Sequence, residues 1–138
     1  MKKVMAFGTF DGLHEGHRYF LNQAKILGDY LVAVVAQDKA VEELKHKKTK
    51  SSLGERIAAI ENENLADEVV GGDIRQGSWE IIKNSRPDIV AIGHDQDALF
   101  SALTAAKEKF DFPLEIKRIE FFQSEGAASI RSYPQRKS

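Results

Sequence analysis

Val4-Met5-Ala6-Phe7-Gly8-Thr9-Phe10-Asp11-Gly12-Leu13-His14-Glu15-Gly16-His17 is the stretch on which the architecture turns. Its first four residues read as a short buried strand, and Gly8, Asp11 and Gly12 read as the turn that ends it. From about Gly16 a helix is expected, because Phe20, Ala24 and Leu27 repeat at the i, i+4, i+7 spacing of one apolar face. Gly28 stands where the C-terminal cap of that helix belongs.

Working outward, the same alternation continues to the end of the chain. Leu31 to Ala36 is an unbroken apolar run, the pattern of a parallel strand covered on both faces. Asp38 is expected to cap a short helix through Val41 and Leu44. Ser52 and Glu55 form a capping box for another helix, with Leu53, Ile57 and Ile60 as its apolar face. Val69-Val70 is a weak strand ended by Gly71-Gly72. Ser78 is the expected cap of a short helix with Ile81 and Ile82, stopped at Arg86-Pro87. Ile89 to Ile92 is a further buried strand, Leu99, Leu103, Ala106 and Phe110 mark a helix, and Leu114 to Ile119 form a last strand. Strands separated by helices imply right-handed crossovers. The expected fold is α/β, one doubly wound parallel sheet of Rossmann-like type with helices on both faces.

The bulk properties agree with this. A length of 138 residues suits one domain with a real core, spanning 1–138 with 134–138 as a frayed tail. A net charge of −1 argues against a protein built to coat nucleic acid. No apolar run approaches the length of a membrane span, and no secretory leader is legible. The chain contains no cysteine, which removes disulfides and thiol nucleophiles and fits the expected cytoplasmic location. Imidazole chemistry must draw on His14, His17, His46 and His94.

In doubly wound sheets ligands bind beyond the carboxyl ends of the strands, near the point where strand order reverses. The loop after the first strand is therefore the first place to search. Residues three apart at a helix start lie on the same side, so His14 and His17 can face one bound group. The helix N-terminus adds backbone donors and a positive partial charge, both suited to phosphate. Nucleotidyl transfer needs positioning, and donors where oxyanion charge grows, rather than a covalent nucleophile. Two other readings stand beside this one. The histidines could be plain loop and helix-start residues, or half of a zinc site, for which no third or fourth ligand is evident. No metal ligand is assigned to the protein.

Gly8-Thr9-Phe10-Asp11 followed by His14-x-Gly16-His17 resembles the cytidylyltransferase-like nucleotidyltransferases, relatives of the class I synthetase catalytic domain. The resemblance runs along nearly the whole chain and implies a nucleotidyltransferase. Pro87-Asp88-Ile89-Val90 and Gly93-His94-Asp95-Gln96 fall where that family places a nucleotide-contacting strand end. Glu125-Gly126-Ala127-Ala128-Ser129-Ile130-Arg131 falls at its C-terminal phosphate-contacting helix start, with Ala127-Ala128 where hydroxyl residues are common. Val35-Ala36-Gln37-Asp38-Lys39-Ala40-Val41 and Gly-x-Asp-Gln are similar to the archaeal-type FAD synthases, which join FMN to the AMP of ATP. Glycerol-3-phosphate cytidylyltransferase, the competing branch, carries an arginine where Gln123 stands.

The resemblance implies His14, His17 and Lys45 as catalytic residues. It implies Thr9, Phe10, His14, Glu15, Gly16, His17, Gly93, Asp95, Ser129 and Arg131 as nucleotide contacts. ATP with Mg²⁺ or another divalent cation, and FMN, are the implied small-molecule partners, and a homodimer is expected. The alternatives are another small-phosphate nucleotidyltransferase and a nucleotide-binding module without turnover. Lys45, Lys47, Lys48 and Lys50 resemble the family's basic loop over the triphosphate, or form a solvated surface. Asp11 is read either as orienting Mg²⁺ or His17 or as a local turn cap. Arg56 is read either as reaching a phosphate or as a surface partner on its helix.

Overall fold

The computed structural model describes residues 1–45, 48–75 and 77–119, and for Glu43, Leu44 and Lys45 the backbone alone. Five strands, β1 (Lys3–Gly8), β2 (Tyr30–Val35), β3 (Glu68–Gly71), β4 (Ile89–Ile92) and β5 (Glu115–Arg118), form one sheet. The order is β3-β2-β1-β4-β5 and every pairing is parallel. Among the described residues the helices are α1 (Glu15–Ile26), α2 (Asp38–Lys45), α3 (Leu53–Asn62), α4 (Glu80–Ser85) and α5 (Asp97–Ala106), the last followed by a 3₁₀ turn at Lys107–Lys109.

Because strand side chains alternate between faces, the apolar runs split into two clusters. Val4, Ala6, Leu31, Ala33, Val35, Ile89 and Ala91 pack with Leu21 and Ala24 of α1 and Ile60 of α3. Met5, Val32, Val34, Val90 and Ile92 pack with Ile82 of α4 and Leu103 of α5 on the opposite face. That two-sided burial is why β2 and β4 read as continuous apolar runs. Ala6 is in register with Ala33 on one side and Ala91 on the other, a row of small side chains under the first helix layer. Strand order reverses between β1 and β4, so the crevice beyond Gly8 and Ile92 is the switch point.

All five expected strands are present, but several local readings are corrected. Gly28 follows Leu27, the C-cap of α1, without a left-handed φ. It is needed for close approach, since a Cβ there would lie 2.7 Å from Val4 Cγ2 and 2.8 Å from the Lys2 carbonyl oxygen. Ser78 does not cap α4. The cap position is Trp79, at φ 55, and the carboxylate of Asp73 accepts from Ile81 N–H at 3.0 Å instead. Asp38 lies inside the first turn of α2 and sends its carboxylate to Arg56 and Thr49. Phe110 is extended beyond the 3₁₀ turn rather than helical.

Candidate active site

At the start of α1 the two histidines cap the helix together. His14 occupies the N-cap with an extended backbone, and its Nδ1 accepts from Gly16 N–H at 3.1 Å. His17 returns the bond, its Nδ1 accepting from His14 N–H at 3.3 Å. This is a capping box built from imidazoles in place of hydroxyl and carboxylate. The rings stack with centroids 3.8 Å apart and planes 22° from parallel. An Nδ1 that accepts from a backbone N–H carries no proton, so each neutral ring is the Nε2–H tautomer. Gly16 leaves room for the arrangement, since a Cβ there would sit 3.0 Å from His14 Cε1.

Phe10 supports His17 from below. It is buried, its backbone is left-handed at φ 54, and its ring meets His17 edge-on at 5.4 Å between centroids. Gly8 makes this possible, because a Cβ at that position would lie 2.7 Å from Phe10 Cζ. A non-glycine residue in the left-handed region holds backbone strain that the surroundings must offset. Phe10 thus enters the site as a support for an imidazole.

Asp11 and Arg56 both depart from the local roles expected of them. Asp11 makes no bond to His17 and caps no local turn. Its carboxylate accepts from Lys50 N–H at 2.7 Å and Ser51 N–H at 3.0 Å, about forty residues along the chain. The Lys50 amide, first among its causes, holds the Asp11 carboxyl below the usual carboxylate range. Arg56 is neither on the surface nor aimed at a phosphate. It is 1% exposed and bonds to Thr9, Ala36, Ser51 and Asp38.

Across the switch point, Gln96 joins the two central strands. Its Oε1 accepts from Gly93 N–H at 2.7 Å and its Nε2 donates to the Phe7 carbonyl at 2.8 Å. Gly93 is buried in that loop and Asp95 is exposed. Arg118, at the end of β5, donates to the His94 carbonyl at 3.0 Å and to Asp97 at 2.8 Å. Its guanidinium lies 4.8 Å from the Phe100 ring centroid.

The fold therefore brings Thr9, Phe10, His14, Glu15, Gly16 and His17 to one side of the crevice and Gly93 and Asp95 to the other. Glu15 is engaged by Arg18 at 3.1 Å. Lys48 and Lys50 are exposed on the segment that Asp11 holds. The Lys45 side chain, and Ser129 and Arg131 altogether, lie outside the described residues. Sequence reasoning missed the roles of Arg56, Gln96 and Arg118. For Arg56 a signal existed, since it falls three residues after Leu53 and four before Ile60, inside the apolar stripe of α3. No group of three or more His, Asp or Glu side chains among the described residues could hold a metal. No helix among them is long and apolar enough to cross a membrane.

A doubly wound sheet with a paired-imidazole cap at its switch point is the site of a nucleotidyltransferase. A model of the cytidylyltransferase-like family matches residues 5–132, and the chain belongs to that family. It is 44% identical over 119 residues to an FAD synthase of Thermococcus sibiricus, covering 86% of this chain and 80% of that one. It is 36% identical over 134 residues to an FAD synthase of Thermococcus onnurineus, covering 97% and 89%. Among solved structures, a lipopolysaccharide core biosynthesis protein from Thermoplasma volcanium superposes with a TM-score of 0.80 at 32% identity, over 89% of this chain and 99% of that one. A pantothenate synthetase from Thermus thermophilus, 16% identical with a TM-score of 0.61 over 86% of this chain and 55% of that one, shares the fold.

Proposed function

We propose that this protein, acting as a single nucleotidyltransferase unit over 1–138, transfers the AMP moiety of ATP to FMN, giving FAD and pyrophosphate. The observation that carries the reading is the stacked pair of Nε2–H imidazoles at the start of α1, centroids 3.8 Å apart. Its likeness to archaeal FAD synthases supplies the choice of ATP and FMN.

In the transfer, a phosphate oxygen of FMN forms a bond to the α-phosphorus of ATP while the bond to the bridging oxygen of pyrophosphate breaks in line. His14 and His17 donate Nε2–H to oxygens of the phosphate that gains charge, and the first turn of α1 adds its positive dipole end. Lys45, with Lys48 and Lys50, neutralises the departing pyrophosphate. Gly93 and Asp95 receive the nucleoside end, and Ser129 and Arg131 contact the phosphates. Mg²⁺ or another divalent cation arrives with ATP as part of the substrate. A cytoplasmic location belongs to the same reading. So does a homodimer, which rests on family resemblance alone.

The test is pyrophosphate release from purified protein with Mg²⁺, crossing ATP and CTP with FMN and glycerol-3-phosphate, products separated by chromatography. FAD from ATP plus FMN alone is expected. CDP-glycerol from CTP would move the enzyme to the cytidylyl branch. Nucleotide binding with no release in any pairing would make the site a binding module.

A further inference from the structure

A cation in an apolar core is costly unless its donors are met, and a buried ion pair replaced whole by apolar residues of similar volume is often as stable or more so. At position 56 such a residue would extend the stripe of Leu53, Ile57 and Ile60. Yet Arg56 is there, 1% exposed, with its guanidinium shared among separate backbones. Nη1 donates to the carbonyls of Thr9 at 2.8 Å and Ala36 at 2.9 Å, Nε donates to the Ser51 carbonyl at 3.1 Å, and Nη2 pairs with Asp38. Thr9 follows β1, Ala36 follows β2 and Ser51 precedes α3.

A second set of bonds closes the circuit. Asp11, two residues after Thr9, holds the Lys50 and Ser51 amides, and the Thr49 hydroxyl donates to Asp38 at 3.3 Å. Regular structure does not require any of this. Helix α3 is already capped by Ser52 and Glu55, and β1 pairs with β2 through its own ladder. What the network adds is a fixed distance between the β1–α1 loop, which carries the imidazoles, and the segment that carries Lys48 and Lys50.

We infer that Arg56 is a positioning residue for the transfer, setting the lysine-bearing segment 48–52 against the His14–His17 cap so that both face one triphosphate. The inference rests on the nucleotidyl-transfer reading above. It acts through placement alone, since the buried guanidinium is taken up by the carbonyls of Thr9, Ala36 and Ser51 and by Asp38.

Three variants test it: Arg56→Lys, Arg56→Met and Asp11→Ala, the last loosening the same segment with the buried cation left in place. For each, kcat and KM for ATP are measured with FMN, alongside thermal unfolding and hydrogen exchange at the Lys50 and Ser51 amides. In Arg56→Lys and Asp11→Ala we expect a folded protein, faster exchange at both amides, and kcat about 100-fold lower with KM changed only a few-fold. Arg56→Met leaves the Thr9, Ala36 and Ser51 carbonyls and Asp38 without their donor, so it is expected to melt below wild type and to lose the same kcat per folded molecule. Unchanged kcat per folded molecule in Asp11→Ala and in whichever Arg56 variant folds would overturn the inference. So would wild-type exchange at Lys50 and Ser51 in those proteins. Wild-type protein that makes no FAD would defeat the functional reading instead, and the exchange measurement would then decide the Arg56 inference.

Discussion

Two loops meet at the switch point, and they are held in different ways. The β1–α1 loop is tied by a buried guanidinium and a carboxylate to segments that follow β2 and precede α3. The β4–α5 loop is tied by a neutral amide, Gln96, to the neighbouring strand, and by Arg118 at the surface. A neutral amide bridge costs little to desolvate and holds a shape. A buried cation costs more and links parts that would otherwise move apart. The loop with the stronger ties is the one on which the reading above places the growing charge of the transfer. There, preorganised donors act with least reorganisation.

The contrast can be broken in order of expected effect. Removing His17 as His17→Ala strikes the first loop hardest. We expect kcat to fall by about 10² to 10³ while nucleotide affinity stays near wild type, read by steady-state assay and titration. An equal loss in both would count against a donor acting in the transition state. His14 separates chemistry from capping. His14→Asn keeps a good N-cap and should unfold like wild type while losing turnover, whereas His14→Ala should also lose about 1 kcal/mol in a denaturant titration.

Next is Gln96→Leu, which leaves Gly93 N–H and the Phe7 carbonyl without their partner. A loss of about 1–3 kcal/mol in denaturant unfolding is expected. Arg118→Met, on the same loop, should cost less than about 1 kcal/mol, and high salt should shrink that cost further, because its ion pair with Asp97 is exposed. If Arg118→Met proved the costlier of the two, the surface cation rather than the amide would hold the β4–α5 loop.

The smallest effect is on pH. The amides of Lys50 and Ser51 depress the Asp11 carboxyl, so folding favours its charged form. Its contribution is complete above the unfolded value of about 3.9 and is lost as pH falls through the lower folded value. Protection of those two amides from exchange should therefore be level from neutral pH to about 5 and decline only below that. Asp11→Asn should abolish the acid dependence.

Most of the frame was legible in the residues. Short and unbroken apolar runs marked five strands, glycines marked turns, and His14-x-Gly16-His17 marked the helix start. The misreadings share a cause. Ser78 and Asp38 are read from the sequence as caps, and one of the two readings of Asp11 and of Arg56 is likewise a local cap or surface contact, because sequence reasoning weighs neighbours along the chain. In the fold Asp73 caps α4 from eight residues away and Asp11 caps a segment about forty residues away.

The linear order of residues settles what depends on short-range geometry. Side-chain periodicity sets which face of a strand or helix is apolar, and two histidines three apart must share a side of the helix they begin. It also settles the family. The stacking of the two imidazoles with His17 edge-on to a strained phenylalanine, the tautomer imposed on each ring, and the burial of Arg56 among three loops emerge only once β1, β2 and α3 are packed. Each depends on backbone amides and carbonyls from distant positions arriving at one point. Hydrogen bonds of about 3 Å report where the folded chain puts those groups, and no residue type encodes that position.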